Sequence, residues 1–214
     1  MNTEISSIRQ EYLMTSLSET DMDQDPVVQF QHWFQQALHA SIDDVNAMTL
    51  STANAQGIPS SRIVLLKGIQ DGQFVFYTNY QSRKGHEMQS NPHVSLNFYW
   101  KELQRQVRIA GPIRKTSVED SEEYFASRPL ESQLGAWASH QSEILDNRQM
   151  LEDRFQEIKQ KYHDMPVPKP PHWGGFAVNP VYIEFWQGRA NRLHDRICYQ
   201  KQGSAEWLMQ RLNP

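Results

Sequence analysis

The sequence predicts a mainly β protein with peripheral helices, an α+β class built on antiparallel strands. From Ala47 onward, apolar residues recur with a period of two in short runs, which is the strand pattern. Turn sequences such as Gly57-Ile58-Pro59 and Gln70-Asp71-Gly72 separate the first runs. They are too short for a crossover helix, so the strands they join are antiparallel. Many short strands at this spacing close into a barrel or pack as a sandwich.

The elements follow in order. Residues 1–24 are polar, with Glu19, Asp21 and Asp23 spaced along them, and are expected to form a mobile arm; residues 25–214 are expected to form one domain. Asp25-Pro26 opens a helix by cap and first-turn logic, and Val27, Phe30, Trp33, Phe34, Ala37 and Leu38 give it an apolar stripe. His32 and His39 lie on this helix without a third ligand nearby, and no metal is expected. Strands are expected at Met48–Ala53, Ser61–Lys67, Phe74–Thr78, Val94–Trp100 and Leu103–Ile109, with a helix starting at Ser82. After Gly111-Pro112 comes a helical insertion over about residues 116–165. Thr116 and Glu119 have capping-box spacing for a helix ended by Pro129; Glu131–Ala138 and Gln149–Tyr162 follow as helices. A Pro-rich connector, Met165–Pro171, leads to the last strands: Phe176–Val178, Ile183–Trp186, Arg192–Tyr199 and Trp207–Leu212.

Composition narrows the function. The net charge of -4 gives no general attraction to nucleic acid or an anionic membrane, so any anion site is local. One cysteine, Cys198, leaves no intrachain disulfide, no apolar run reaches membrane-span length, and Met1–Gln10 lacks a signal-peptide core; a cytoplasmic location is expected. A hydrophobic share of 38% is lean for 214 residues, while 6 Trp, 8 Tyr and 9 Phe supply large contact area, a balance that burial between subunits would fit.

Four polar clusters could carry chemistry. Arg62-Ile63-Val64-Leu65-Leu66-Lys67 is an apolar run bracketed by cations, which elsewhere mark strand ends meeting water. Thr78 to Lys84 brings hydroxyls, Arg83 and Lys84 to a helix start, the setting of a phosphate cradle. Tyr124 and Arg128 lie one helical turn apart, and Ser132 follows the Pro129 break; the three could converge on one oxyanion or mark a solvated helix end. Strand alternation would place Arg192, His194 and Arg196 on one face beside Phe185 and Trp186, as a pocket wall or a solvated basic edge. Dinucleotide-binding, Walker, zinc-protease and nucleophile-elbow motifs are absent from the sequence.

Taken together these segments resemble the pyridoxamine 5'-phosphate oxidase family over nearly the whole chain, from Ile8-Arg9-Gln10-Glu11-Tyr12 to Arg211-Leu212-Asn213-Pro214. The most specific part is Ile183-Glu184-Phe185-Trp186-Gln187, four residues, then Arg192-Leu193-His194-Asp195-Arg196; Phe74 to Asn79, Arg105-Gln106-Val107, Ser127-Arg128-Pro129 and Gly135-Ala136-Trp137 support it. The resemblance implies an FMN-binding split β-barrel working as a homodimer. It implies FMN contacts from Arg62, Ile63, Val64, Leu65, Leu66, Lys67, Tyr77, Thr78, Arg83, Lys84 and Gln106, completed by Gln141, Ser142, Trp186 and Arg196. The substrate phosphate would meet Lys67, Tyr124, Arg128 and Ser132, and Arg192, Leu193 and His194 would hold the pyridine ring, with Arg192 and His194 catalytic. Arg9, Tyr12 and Asp44 match positions that close over the substrate. The implied reaction oxidises pyridoxamine 5'-phosphate and pyridoxine 5'-phosphate to pyridoxal 5'-phosphate with O2 as acceptor and H2O2 as product. Two rivals remain: a flavin- or vitamer-binding split barrel without turnover, and a reductase of flavins or nitro compounds.

Overall fold

A computed structural model describes residues 7, 12, 15–203 and 206–214. In chain order the elements are α1 (Pro26–His39), β1 (Ala47–Ala53), β2 (Pro59–Leu65), β3 (Gly68–Gln70), β4 (Gln73–Asn79), α2 (Arg83–Ser90), β5 (His93–Trp100), β6 (Arg105–Lys115), α3 (Val118–Ser127), α4 (Leu130–Ala138), α5 (Arg148–Lys161), β7 (Trp173–Val178), β8 (Tyr182–Gln187), β9 (Asp195–Gln202) and β10 (Glu206–Leu212). Two compact units result: residues 1–49, 95–110 and 180–214, and residues 50–94 and 111–179.

In the first unit, β10, β9, β8, β6 and β5 form antiparallel sheet in that order. Val107, Phe185 and Ile197 are paired across β6, β8 and β9 and have no exposure, because period-2 alternation sends them all to one face. α1 covers that face. Asp25 caps it by accepting from Val27 N at 2.8 Å, Pro26 occupies its first turn, and Trp33 meets Phe185 edge-on at 5.1 Å. The opposite face is polar, with Gln106, Trp186 and Arg196 in one cross-strand row and Arg108, Glu184 and Cys198 in the next.

In the second unit, β4 pairs with β3 and β7, and β7 pairs with the end of β6. Phe125, Leu134, Tyr162, Val167 and Trp173 form a small core under α3, α4 and α5. Gly174 and Gly175 of β7 leave room for tyrosines: a Cβ on Gly175 would lie 2.8 Å from Tyr77 Cε1, and one on Gly174 would lie 2.1 Å from the Tyr80 hydroxyl.

Several boundaries differ from expectation, each for a local reason. The strand expected at Leu103 begins at Arg105, because Lys101–Leu103 is a 3-10 turn closed by Gln104 at φ 53°. It then runs through Gly111-Pro112 to Lys115: Ala110 ends the pairing to β8 and Ile113 begins that to β7, so the proline falls where a strand can lack an N–H. Ser117, not Thr116, caps α3, accepting from Asp120 N at 2.9 Å. The strand expected at Arg192 begins at Asp195, so Arg192 and His194 do not share a strand face with Arg196. Asn191 and Arg192, at φ 56° and 61°, bend the chain through a 3-10 turn instead. Within the expected mobile arm, Leu17 and Met22 are buried against the first unit, and Tyr199 donates its hydroxyl proton to Asp23 O at 2.7 Å.

Candidate active site

The second unit contains a cleft of about 860 Å³. Of the residues singled out from the sequence, Arg62, Ile63, Val64, Leu65, Lys67, Tyr77, Thr78, Lys84, Tyr124, Arg128, Ser132 and Gln141 line it. β2 supplies Arg62 to Leu65 and β4 supplies Tyr77 and Thr78; Lys67 follows β2, its N–H donating to Val75 O at 2.8 Å, and the start of α2 supplies Lys84. Ser82 caps α2, its Oγ accepting from Gly85 N at 3.3 Å, and this turns Lys84 inward. Lys84 Nζ donates to Gln141 Oε1 at 2.7 Å, Thr78 Oγ1 at 3.2 Å and Ser82 Oγ at 3.3 Å. All three partners are neutral. Burial, aided by the nearby Arg62 charge and opposed by Glu87, pulls this ammonium down to about 8.

Tyr77 and Tyr124 stack at 3.9 Å with Trp173 beside them, and the Arg128 guanidinium sits 4.8 Å over the Trp173 ring. Arg128 Nη1 is buried and has no hydrogen-bond partner among the described residues. Among those residues, no carboxylate lies within ion-pair distance of either Lys84 or Arg128. An uncompensated buried cation is costly, so both are suited to anionic groups entering the cleft. Arg62 differs. It donates to Leu50 O at 3.3 Å and to Thr52 and Ser60, and its Nη2 lies 3.4 Å from Glu87 Oε2.

Six residues expected at the flavin do not line this cleft: Gln106, Trp186 and Arg196 belong to the first unit, and Leu66, Arg83 and Ser142 to the second. Leu66 is buried. Arg83 projects along α2, its side chain 66% exposed and its Nε donating to Glu87 Oε1 at 2.9 Å, the (i, i+4) pairing of a helix. Ser142 is exposed at φ 75°. Sequence reading missed Asn79, which lines the cleft beside the Tyr77-Thr78 pair, and Trp173, which precedes the strand as expected. It also missed Glu87, for which the (i, i+4) spacing from Arg83 was the available signal.

The first unit carries the other residues. Trp186 and His194 lie 4.7 Å apart, and Tyr12 meets each edge-on at 5.7 Å. Arg189 N–H donates to His194 Nδ1 at 3.1 Å, so a neutral ring carries its proton on Nε2. Burial and the Arg192 charge keep this imidazole below its ordinary range. Arg192 holds a left-handed backbone that costs a non-glycine residue roughly 1–2 kcal/mol. Arg196 is ion-paired, its Nε 2.9 Å from Glu184 Oε1, while Tyr182 and Arg108 reach the other carboxylate oxygen at 2.7 and 3.3 Å. Burial alone would raise Glu184, but these partners outweigh it and hold the carboxyl below its usual range. Leu193 is exposed, and Asp44 sits at φ 47°. Arg9 lies outside the described residues.

The family model described as pyridoxamine 5'-phosphate oxidase matches residues 34–162, and that of the pyridoxine 5'-phosphate oxidase C-terminal dimerisation region matches 173–214. The chain belongs to the pyridoxine/pyridoxamine 5'-phosphate oxidase family. The family member from Cyanothece sp. named pyridoxine/pyridoxamine 5'-phosphate oxidase is 52% identical over 214 residues, covering 100% of both chains. The one from Paraburkholderia phymatum is 52% identical over 210 residues, covering 98% of this chain and 99% of its own. Among solved structures, PhzG from Burkholderia lata, in complex with tetrahydrophenazine-1-carboxylic acid, has a TM-score of 0.88 at 28% identity, covering 94% of this chain and 99% of its own. A pyridoxamine 5'-phosphate oxidase-related, FMN binding protein from Nostoc punctiforme matches with a TM-score of 0.69 at 18% identity, covering 86% and 97%, which supports the fold. The fold is the α+β split barrel of this family. Among the described residues no helix is long and apolar enough to cross a membrane.

Proposed function

We propose that this chain oxidises pyridoxamine 5'-phosphate and pyridoxine 5'-phosphate to pyridoxal 5'-phosphate, with FMN as cofactor and O2 as electron acceptor. The observation that carries the reading is Arg128 Nη1, buried and without a hydrogen-bond partner among the described residues, in a cleft that Lys67, Tyr124 and Ser132 also line. A phosphate dianion would supply its missing acceptor, with Lys67 as a second charge and the two hydroxyls as donors. Lys84 fits the second phosphate that the reaction requires, that of FMN, with Thr78 and Gln141 holding its ammonium in place. Arg62, Ile63, Val64, Leu65 and Tyr77 line the same cleft and are assigned to FMN, as by motif are Leu66, Arg83, Gln106, Ser142, Trp186 and Arg196.

FMN when bound supplies the two-electron chemistry and returns the electrons to O2, releasing H2O2. The amine substrate also consumes one water and releases ammonia, whereas the alcohol needs neither. The protein holds and orients. Arg192, Leu193 and His194 are assigned to the pyridine ring, with Tyr12, Asp44 and Arg9 closing over it. The Arg189 amide fixes the His194 tautomer, so the Nε2 proton is the one available to a ring oxygen. The dimerisation-region match supports a homodimer, which a gel-filtration mass tests.

Purified, FMN-loaded protein given pyridoxamine 5'-phosphate under air is expected to form pyridoxal 5'-phosphate and peroxide in equal amounts. If neither product forms, the oxidase reading is overturned. Arg192→Met is expected to impair turnover with flavin still bound; a colourless variant would remove Arg192 from the substrate.

A further inference from the structure

The polypeptide just before α1 is tied to the far end of the chain by one polar node. Arg211, on β10, grips Glu19 with both ends of its guanidinium fork, Nε to Oε1 at 2.9 Å and Nη2 to Oε2 at 2.8 Å. The same guanidinium donates from Nη2 to Leu17 O at 3.0 Å and from Nη1 to Asp195 Oδ1 at 2.9 Å. Asp195 Oδ2 in turn accepts from Leu17 N at 3.0 Å and from Arg189 Nη1 at 3.1 Å. Three pieces of chain meet here: the segment Leu17–Glu19, the loop that carries Arg189, Arg192 and His194, and the last strand. An isolated exposed ion pair contributes little. A bidentate fork that also satisfies a backbone carbonyl and a shared carboxylate fixes geometry as well.

Five residues upstream of Leu17, the Tyr12 ring lies against Trp186 and His194. Its seat is close-fitting, since a Cβ on Gly188 would fall 2.7 Å from Tyr12 Cγ. Tyr12 therefore reaches His194 only if the chain between them is held at the right distance, and the node adjoins His194 through its neighbour Asp195. We propose that Glu19 and Arg211 are positioning residues: their ion pair, joined to Asp195, latches the N-terminal segment so that Tyr12 caps Trp186 and His194. The latch is a claim about the fold, and its effect on turnover rests on the assignment of His194 and Arg192 to the substrate.

The test uses the full-length chain with Glu19→Gln, Arg211→Met, Arg211→Lys and the double variant Glu19→Gln/Arg211→Met. Nitration of Tyr12 by tetranitromethane, followed by mass spectrometry, needs no turnover. Glu19→Gln and Arg211→Met are expected to speed Tyr12 nitration at least fivefold, and the double variant no more than the worse single one. Arg211→Lys should restore part of the protection. In wild type, raising salt from 0.05 to about 1 M should speed it too, because half-exposed pairs are screened. Unchanged nitration in both single variants, or additive effects, overturns the latch. In the oxidase assay Glu19→Gln is expected to raise KM severalfold with kcat within twofold, and to do nothing further in a Tyr12→Ala background. A loosened Tyr12 with unchanged KM overturns the positioning role. Absence of turnover in wild type would count against the oxidase reading, and the latch would still be decided by nitration.

Discussion

The arginines of the two units are employed differently. In the first unit four are ion-paired, Arg196 and Arg108 with Glu184, Arg189 with Asp195, and Arg211 with Glu19 and Asp195, while Arg105 donates to Gln187 and Gln36 and lies 4.2 Å over the Trp33 ring. In the cleft of the second unit Lys84 is buried and Arg128 half-buried with its Nη1 enclosed, neither within ion-pair distance of a carboxylate among the described residues, whereas Arg62 is neutralised by Glu87. A paired cation is explained by the fold that contains it. A buried cationic atom with neither a carboxylate nor a hydrogen-bond acceptor, such as Arg128 Nη1 among the described residues, is a cost that the fold alone does not offset, and a ligand supplies the compensation. The chain is acidic overall, yet Lys84 and Arg128 stand beyond ion-pair distance of any carboxylate among the described residues, with Glu87 engaged by Arg62 and Arg83.

Substituting the same residue type in the two places should therefore give opposite results. Arg196→Met leaves Glu184, which is 1% exposed, short of its best partner, and is expected to lower unfolding free energy by about 3 kcal/mol in denaturant titration. Arg128→Met removes a cation that no carboxylate among the described residues pairs and should leave stability equal or higher. It should cost roughly 10–150-fold in kcat/KM for pyridoxamine 5'-phosphate, the loss of one charge-assisted hydrogen bond. If Arg128→Met unfolds the protein and Arg196→Met does not, the distinction between paired and unpaired cations is wrong.

Lys84 sharpens the point through pH. Its pKa of about 8 in the folded chain lies below its ordinary value of 10.5, so between those limits the unfolded chain binds more protons. Stability of the ligand-free protein should rise with pH across that window relative to Lys84→Met, and show no such slope below it. FMN affinity should move the other way, falling up to about tenfold per pH unit above 8 because the phosphate needs the ammonium form. Fluorescence titrations of FMN at pH 7 and pH 9 check this, and equal affinities would detach Lys84 from the phosphate.

What was legible beforehand follows the same division. Strand periodicity and caps at Asp25 and Ser82 announce themselves locally, and the elements built on them are present. The segment Arg192 to Arg196 misled because alternation assumes extended backbone, and two left-handed residues at 191 and 192 break it. Nothing in residue type forbids that conformation at Asn191, and only the surroundings impose it at Arg192. The cleft residues were found as separated clusters, each ambiguous alone. Whether a given arginine meets a carboxylate is a tertiary fact: Arg196 and Arg128 look equally available in sequence, and only the fold brings Glu184 to the first.

The smallest expected effect comes from a pair that belongs to neither case. Arg148 and Glu152 lie one turn apart on α5, Nε to Oε1 at 3.0 Å, with side chains 81% and 52% exposed. Water solvates both charges whether or not they touch, and ordering two long side chains costs entropy that offsets the attraction. Arg148→Ala is expected to change unfolding free energy by less than about 0.5 kcal/mol, and 1 M salt should erase what remains. If that loss instead approached the one for Arg196→Met, burial would not be what separates structural cations from solvated ones, and the case for Arg128 as a ligand-binding group would lose its physical basis.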